Sequence, residues 1–181
     1  EMCRRDSLYA VNNITDLSTY GLGVANNGGG TDGQEYTFPQ ISVTQGTHIL
    51  LARDTGAMST YFDSCFSSFD LVLQATSSIS QNGDDAIELF ENGSIIETFG
   101  DPNVDGTGEP WEYQDSWAYK DTNGTVNFSG GMWQMGGVNC SDGSTTTQGS
   151  NCPYPLCVST PPPPPPPTNT SSITFQVDMS Q

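Results

Sequence analysis

An all-β sandwich is the fold that this sequence predicts, and three observations predict it. Short apolar or alternating runs are broken by turn clusters at residues 26–33 ("NNGGGTDG"), 54–57, 81–84 and 92–94, which is the spacing of a sandwich. Ser, Thr, Gly and Asn abound while Lys and Glu are scarce, the composition of solvated strands and turns rather than helices. In "AIELFENGSIIETF", Asn92-Gly93 sits between two β-prone runs and specifies a two-residue type I′ hairpin.

Taken in order, residues 1–8 ("EMCRRDSL") hold Arg4 and Arg5 and show neither a period of two nor one of 3.6, so they read as a ragged end. Strands are expected at 8–14, 19–24, 35–43 and 47–52. Around "AMSTYFDSCF" one short helix is expected, because Met58, Tyr61, Phe62 and Cys65 or Phe66 recur at helical spacing. Further strands are expected at 69–75, 85–91, 94–99, 111–119 and 124–128. The hairpin pairing would set Glu88 opposite Glu97. Like charges there are tolerated either through a bulge that shifts the register or on a solvated face, and at this turn length the solvated face is the expectation.

The sandwich is thus expected to occupy residues 9–158. Residues 159–172 ("STPPPPPPPTNTSS") are a linker. The run Pro161–Pro167 lacks N–H donors and fixes φ, so it forms a polyproline II rod of roughly 20 Å. Flanked by Thr and Ser, it reads as a stalk more than as a ligand for a proline-binding domain. Beyond it, 173–181 alternates in "ITFQVDMS", with Ile173, Phe175, Val177 and Met179 on one side, and reads as an isolated strand of something else.

A chain of 181 residues is long enough for one full core. Its 21 acidic residues against 4 basic ones give a net charge of −17, which repels phosphate backbones and anionic lipid. Nucleic acid and membrane are therefore excluded as expected partners. No apolar run approaches the roughly 20 residues of a membrane span. No charged, apolar and small-residue pattern marks a secretory leader, so the beginning is expected to have been removed or to lie upstream.

The five cysteines form no C-x-x-C pair, and His48 is the one histidine, so disulfides are a better reading than zinc. Cys140, Cys152, Cys157 and Cys65 are expected to be oxidised, with one bond closing the loop between Cys140 and Cys152. Cys3 is the odd thiol, and the connectivity is otherwise open. Sequons at Asn13, Asn92, Asn123, Asn127, Asn139 and Asn169 agree with an extracellular, oxidising compartment. The other reading of these residues is as turn formers, since turns favour Asn.

"DPNVDGTGEPWE" fits the calcium-loop template D-x-[DN]-x-[DN]-G-x₅-E at every specified position. Asp101, Asn103, Asp105, the carbonyl of Thr107, Glu109 and Glu112 would supply the six or more oxygens that calcium takes. Strands on both sides, Pro102 and Gly108 depart from an EF-hand. A strand-to-strand loop around a weakly held Ca²⁺ stands beside a plain Asp/Gly turn.

Catalysis finds little support. His48 lies in the strand run "THILLAR", no G-x-S-x-G is present, and carboxylates are too plentiful for any pair to stand out as a dyad. Trp111, Tyr113, Trp117, Tyr119 and Trp133 could form a platform for glycans. Alternation puts the first four on one face of an unbroken strand, where they read rather as core.

The stretch "NGDDAIELFENGSIIETFGDPNVDGTGEPWEYQDSWAYK", with "VNNITDLSTYGL" and "GTHILLAR" before it and "GGVNCSDGSTTTQGSNCPYPLC" after it, resembles the secreted branch of the lamin-tail domain family. The resemblance covers about residues 9–157. It implies an immunoglobulin-like β-sandwich and a module that accompanies nucleases, phosphatases or carbohydrate-binding modules in secreted proteins without catalysing anything itself. The first strand usual in that family has no recognisable counterpart here, so the sandwich is expected to lack it. "ITFQVDMS" is similar to the opening strand of starch-binding-like modules.

Two functional readings follow. One is a non-catalytic extracellular binding or adhesion module of a larger secreted or surface glycoprotein, partnered by its other domains. The other is a structural subunit of an extracellular fibre, in which the terminal strand fills the open edge of an identical copy, end to end.

Overall fold

The computed structural model describes residues 3–75, 77, 79–158 and 172–180. The fold is all-β, with two sheets packed face to face. Among the described residues, eleven strands and one α-helix are laid down in this order: β1 (Cys3–Ala10), β2 (Tyr20–Ala25), β3 (Tyr36–Thr37), β4 (His48–Ala52), α1 (Thr55–Phe62), β5 (Leu71–Gln74), β6 (Ala86–Glu91), β7 (Ser94–Phe99), β8 (Trp117–Lys120), β9 (Val126–Phe128), β10 (Gly131–Met135) and β11 (Ile173–Ser180). Seven strands form the larger sheet in the order β5-β4-β1-β11-β8-β10-β9, and four form the smaller in the order β3-β2-β6-β7.

Neighbours are antiparallel except β4 and β5. A parallel pair needs a crossover, and α1 supplies it. Asp54 starts the helix by accepting a hydrogen bond from the Ala57 amide at 2.9 Å, and Asp63, at φ 50°, ends it. Met58, Tyr61 and Phe62 are buried, as their spacing predicts, and a 3₁₀ turn from Asp63 to Ser68 carries Cys65 inward.

Alternation sorts β4 between two cores. Ile49 and Leu51 face the gap between the sheets with Leu8, Leu22, Val24, Ile87, Leu89, Phe99 and Trp133. Leu50 and Ala52 face the other way, onto Met58, Phe62, Trp117, Tyr119, Tyr154 and Leu156. The helix and the segment before the linker thus form a third layer over the outer face of the larger sheet.

The Asn92-Gly93 hairpin forms as expected, with φ values of 50° and 75°. Its register does not follow the expectation. A bulge between Leu89 and Phe90 leaves Ile96 as the extra residue, places Glu97 opposite Leu89 and Glu88 opposite Thr98, and separates the like charges. Neither carboxylate is on a solvated face: both are buried. Glu97 points to the interior because its partner is there, the ammonium of Lys120.

Residues 1–8 are not a ragged end where they are described. From Cys3, β1 pairs with β4 on one side and with β11 on the other. Asp6, Leu8 and Ala10 are all buried, and Asp6 accepts from Gln81 Nε2 at 3.1 and 3.2 Å. A buried carboxylate in the alternating position hid the strand from an apolar-period reading. Nor is 173–181 isolated: β11 lies inside the larger sheet, and Ile173 and Thr174 are fully buried. Of the linker, all but Ser172 falls outside the described residues.

Other boundaries shift. The expected strand 111–119 is only Trp117–Lys120; the chain before it turns, so Trp111 and Tyr113 enter the inter-sheet core while Trp117 and Tyr119 join the outer layer. β10 was not expected, and β3 keeps two residues of the expected 35–43.

Lys120→Ala would strand the Glu97 carboxylate in the interior. It is expected to cost about 3–5 kcal/mol, the usual penalty for breaking a buried pair. Glu97→Leu combined with Lys120→Met, which removes both charges, should cost much less. Denaturant unfolding of the two variants checks the difference, and equal losses would mean that packing, not charge, holds the site.

Candidate functional site

The chemistry-bearing side chains fall into an interior group, a loop group and a histidine on the outer face. In the interior, Lys120 projects from β8 and its Nζ donates to Glu97 Oε1 on β7, both side chains being 0 % exposed. Lys120 Nζ also contacts Thr174 Oγ1 of β11 at 2.6 Å, and Thr174 Oγ1 donates to Glu97 Oε2 at 3.2 Å. The ammonium lies 5.0 Å from the Trp133 ring centroid, within reach of a cation–π interaction. Burial pushes the Glu97 carboxyl up and the Lys120 ammonium down, and the attraction between them opposes both shifts. Sequence reasoning missed this group. A lone lysine next to "WAY" in a chain with few cations is the one signal it left.

The loop group centres on the template match. Asp101 Oδ1 accepts from the Asn103 amide at 2.9 Å, Asp105 Oδ1 from the Thr107 amide at 3.0 Å, and Glu112 Oε2 from the Gly108 amide at 2.7 Å. Each carboxylate therefore closes a local turn of its own, as Asx-type residues do. The hydrogen bonds from Thr107 hold the Asp105 carboxyl below its usual range. Thr107 Oγ1 donates to Asp84 Oδ2 at 3.0 Å, and the Gly106 amide to the Asp84 carbonyl at 2.9 Å, so the loop is tied to "NGDD" rather than wrapped round a centre. Among the described residues no three His, Cys, Asp or Glu side chains converge as a metal site. The carboxylates of Asp101, Asp105 and Glu112 are thus each engaged by a backbone amide of the loop that they share with Asn103, Thr107 and Glu109.

Beside this loop, Asp85 is buried and accepts from the Asn27 and Asn82 amides at 2.9 and 2.8 Å, while its desolvation raises its carboxyl above the usual range. Tyr113 Oη donates to the Asp85 carbonyl at 3.1 Å. Asp85 thus anchors three loops at one end of the sandwich.

His48 stands on β4 with its ring 4.9 Å from that of Tyr9, and its amide donates to Asp70 Oδ2 at 2.9 Å. Burial lowers its pKa, and the Asp70 charge works against that. The aromatic candidates are spent on packing: Trp111, Tyr113, Trp117, Tyr119 and Trp133 are all buried. The Trp117 indole donates to the Cys152 carbonyl at 2.8 Å.

Two disulfides join the four expected cysteines, Cys140 to Cys152 and Cys65 to Cys157. In the chain-entropy account the short loop is worth about 3 kcal/mol and the long one about 4.5. The long one ties the 3₁₀ turn after α1 to the last segment of the outer layer. Asn13, Asn92, Asn123, Asn127 and Asn139 are exposed, and Asn169 lies outside the described residues. No helix among the described residues is long and apolar enough to cross a membrane.

Comparison with family models, with curated proteins and with solved structures gives no match for this chain.

The loop geometry predicts that millimolar calcium leaves Tm where chelator leaves it. A rise that disappears in Asp101→Ala with Asp105→Ala would restore the calcium loop. For His48, whose folded pKa lies below its ordinary 6.5, stability is fully present above about 6.5 and is lost as the pH falls through the folded value. His48→Gln should flatten that part of the Tm profile between neutral pH and pH about 5, and an unchanged profile would refute the assignment.

Proposed function

We propose that this chain is a non-catalytic extracellular module, which serves a larger secreted or surface glycoprotein by binding or adhesion. The observation that carries the reading is where its reactive and aromatic side chains lie. Lys120 is spent on Glu97 in the interior, the three tryptophans are core, and His48 rests against Tyr9. What the domain offers outward is a strongly acidic surface of loops with exposed Asn, Ser and Thr.

The resemblance to secreted lamin-tail domains supports the same reading, including an immunoglobulin-like arrangement of the sandwich. Two disulfides support an oxidising location, and the five exposed sequons support glycosylation there. The second reading, a structural subunit of an extracellular fibre, would require that the strand after the proline linker, which pairs here with β1 and β8 of its own chain, be exchanged between copies.

Assays of the whole chain against nucleic acid, phosphate esters and polysaccharides are expected to show no turnover. Turnover that His48→Ala abolishes would overturn the reading.

A further inference from the structure

The Lys120–Glu97 pair holds the parts of a condensation as well as those of an ion pair. Lys120 is the one lysine of the chain, and it is fully buried with its Nζ in contact with Glu97 Oε1. Three strands from two sheets hold the groups in place: Lys120 on β8, Glu97 on β7 and Thr174 on β11. Gly130, at φ 97°, passes so close that a Cβ there would stand 2.6 Å from Glu97 Cδ and 2.8 Å from Lys120 Nζ. Backbone therefore closes over the carboxyl carbon, and the Trp133 ring adds an apolar wall 5.0 Å from Nζ.

Two features favour a bond over an ion pair. In water a carboxylate and an ammonium do not condense to any extent, because hydration stabilises the ions. Here that hydration is gone, burial pushes both groups towards their neutral forms, and one amide in place of two buried charges removes their desolvation cost. Held in contact on strands, amine and carboxyl also react as parts of one molecule, for which effective concentrations reach about 10⁵–10⁸ M. Thr174 completes the set. Its hydroxyl accepts from Nζ at 2.6 Å and donates to Glu97 Oε2 at 3.2 Å, which is the path a proton takes from an attacking nitrogen to a leaving oxygen.

We infer that Lys120 Nζ and Glu97 Cδ join in an intramolecular amide bond, a covalent cross-link between the two sheets. The amine nitrogen adds to Cδ, and the Cδ–Oε2 bond then breaks. The Thr174 hydroxyl relays a proton from nitrogen to Oε2, which leaves as water, while Oε1 stays as the amide carbonyl. An ammonium and a carboxylate thus become one amide and one water, with no oxidant, cofactor or further reactant. The ion pair is the arrangement from which the bond forms, so the bond follows folding.

The test uses the full chain, folded and then denatured and reduced. An amine-reactive reagent added in denaturant should label the N-terminus and leave Lys120 unlabelled. A protease that cuts after acidic residues should release a branched peptide in which the segment bearing Glu97 is joined to that bearing Lys120, lighter than their sum by one water. Chain denatured as soon as it is synthesised should show neither. Glu97→Gln should form the same bond with loss of ammonia instead of water. Thr174→Ser should keep the rate of bond formation, and Thr174→Val should slow it by about 100-fold or more.

Folded wild-type chain whose Lys120 takes the label in full, or a missing water that maps to any other residue, would overturn the inference and leave the pair ionic. Equal rates in Thr174→Val and Thr174→Ser would overturn the part assigned to Thr174. Neither Lys120→Ala nor Glu97→Leu with Lys120→Met can form the bond, so the contrast in stability between those two variants stands either way. The binding-module reading is likewise untouched by the outcome, since the bond lies in the interior.

Discussion

A lysine and a glutamate that leave water together have to meet, and here they meet across the gap between the two sheets. Lys120 comes from the larger sheet and Glu97 from the smaller, and both are fully buried. The net worth of such a pair against an apolar substitute is small, but an unpaired member is strongly disfavoured, so the pair acts as a constraint more than as a source of stability. It admits only arrangements in which β7 and β8 face one another with these residues inward. The bulge at Leu89/Phe90 is the local consequence: were Ile96 paired with Leu89 in a regular ladder, the hairpin would set Glu97 against Glu88. Thr174 then satisfies the remaining polar contacts, which links the entry of β11 to the same point.

How much of this was legible depends on the range over which each signal acts. The hairpin, the helix and most strands from β2 to β7 were readable, because Asn-Gly chemistry, helical spacing and apolar alternation are encoded within a few residues. β1 was misread because its interior face carries Asp6, whose partner Gln81 is 75 residues away. The register of β6 and β7 was misjudged because the partner that draws Glu97 inward lies on another sheet. The aromatic run from Trp111 to Tyr119 was rightly read as core but wrongly as one face, since a turn before β8 divides it between two layers. The loop at Asp101–Glu112 matched its template in residue type, yet a template records spacing and not direction. Its carboxylates point to their own backbone.

The third layer has a physical purpose that the sandwich alone would not reveal. The outer face of the larger sheet carries Leu50, Trp117 and Tyr119, and a sheet with such a face needs cover. One short helix covers part of it. The rest is covered by an irregular segment around Tyr154 and Leu156, which has little secondary structure of its own to hold it in place. Tyr154 is pinned by its hydroxyl contact with Ser7 at 2.6 Å and by its amide bond to Thr147 at 2.8 Å. Cys157 is bonded to the turn after the helix. Covalent closure there takes the place of the regular hydrogen bonding that a strand or helix would have supplied.

Charge then limits what the surface can meet. Four basic residues against 21 acidic ones already leave a net −17, and folding withdraws Lys120 from the surface altogether. Anionic partners are therefore repelled at long range, and more strongly at low salt than at high. Neutral partners, cationic partners and backbone-to-backbone pairing remain. Of these, strand pairing is the least sensitive to that field, because its bonds form between uncharged amide groups within a few ångströms. Two copies of so acidic a chain would still repel one another as they approach.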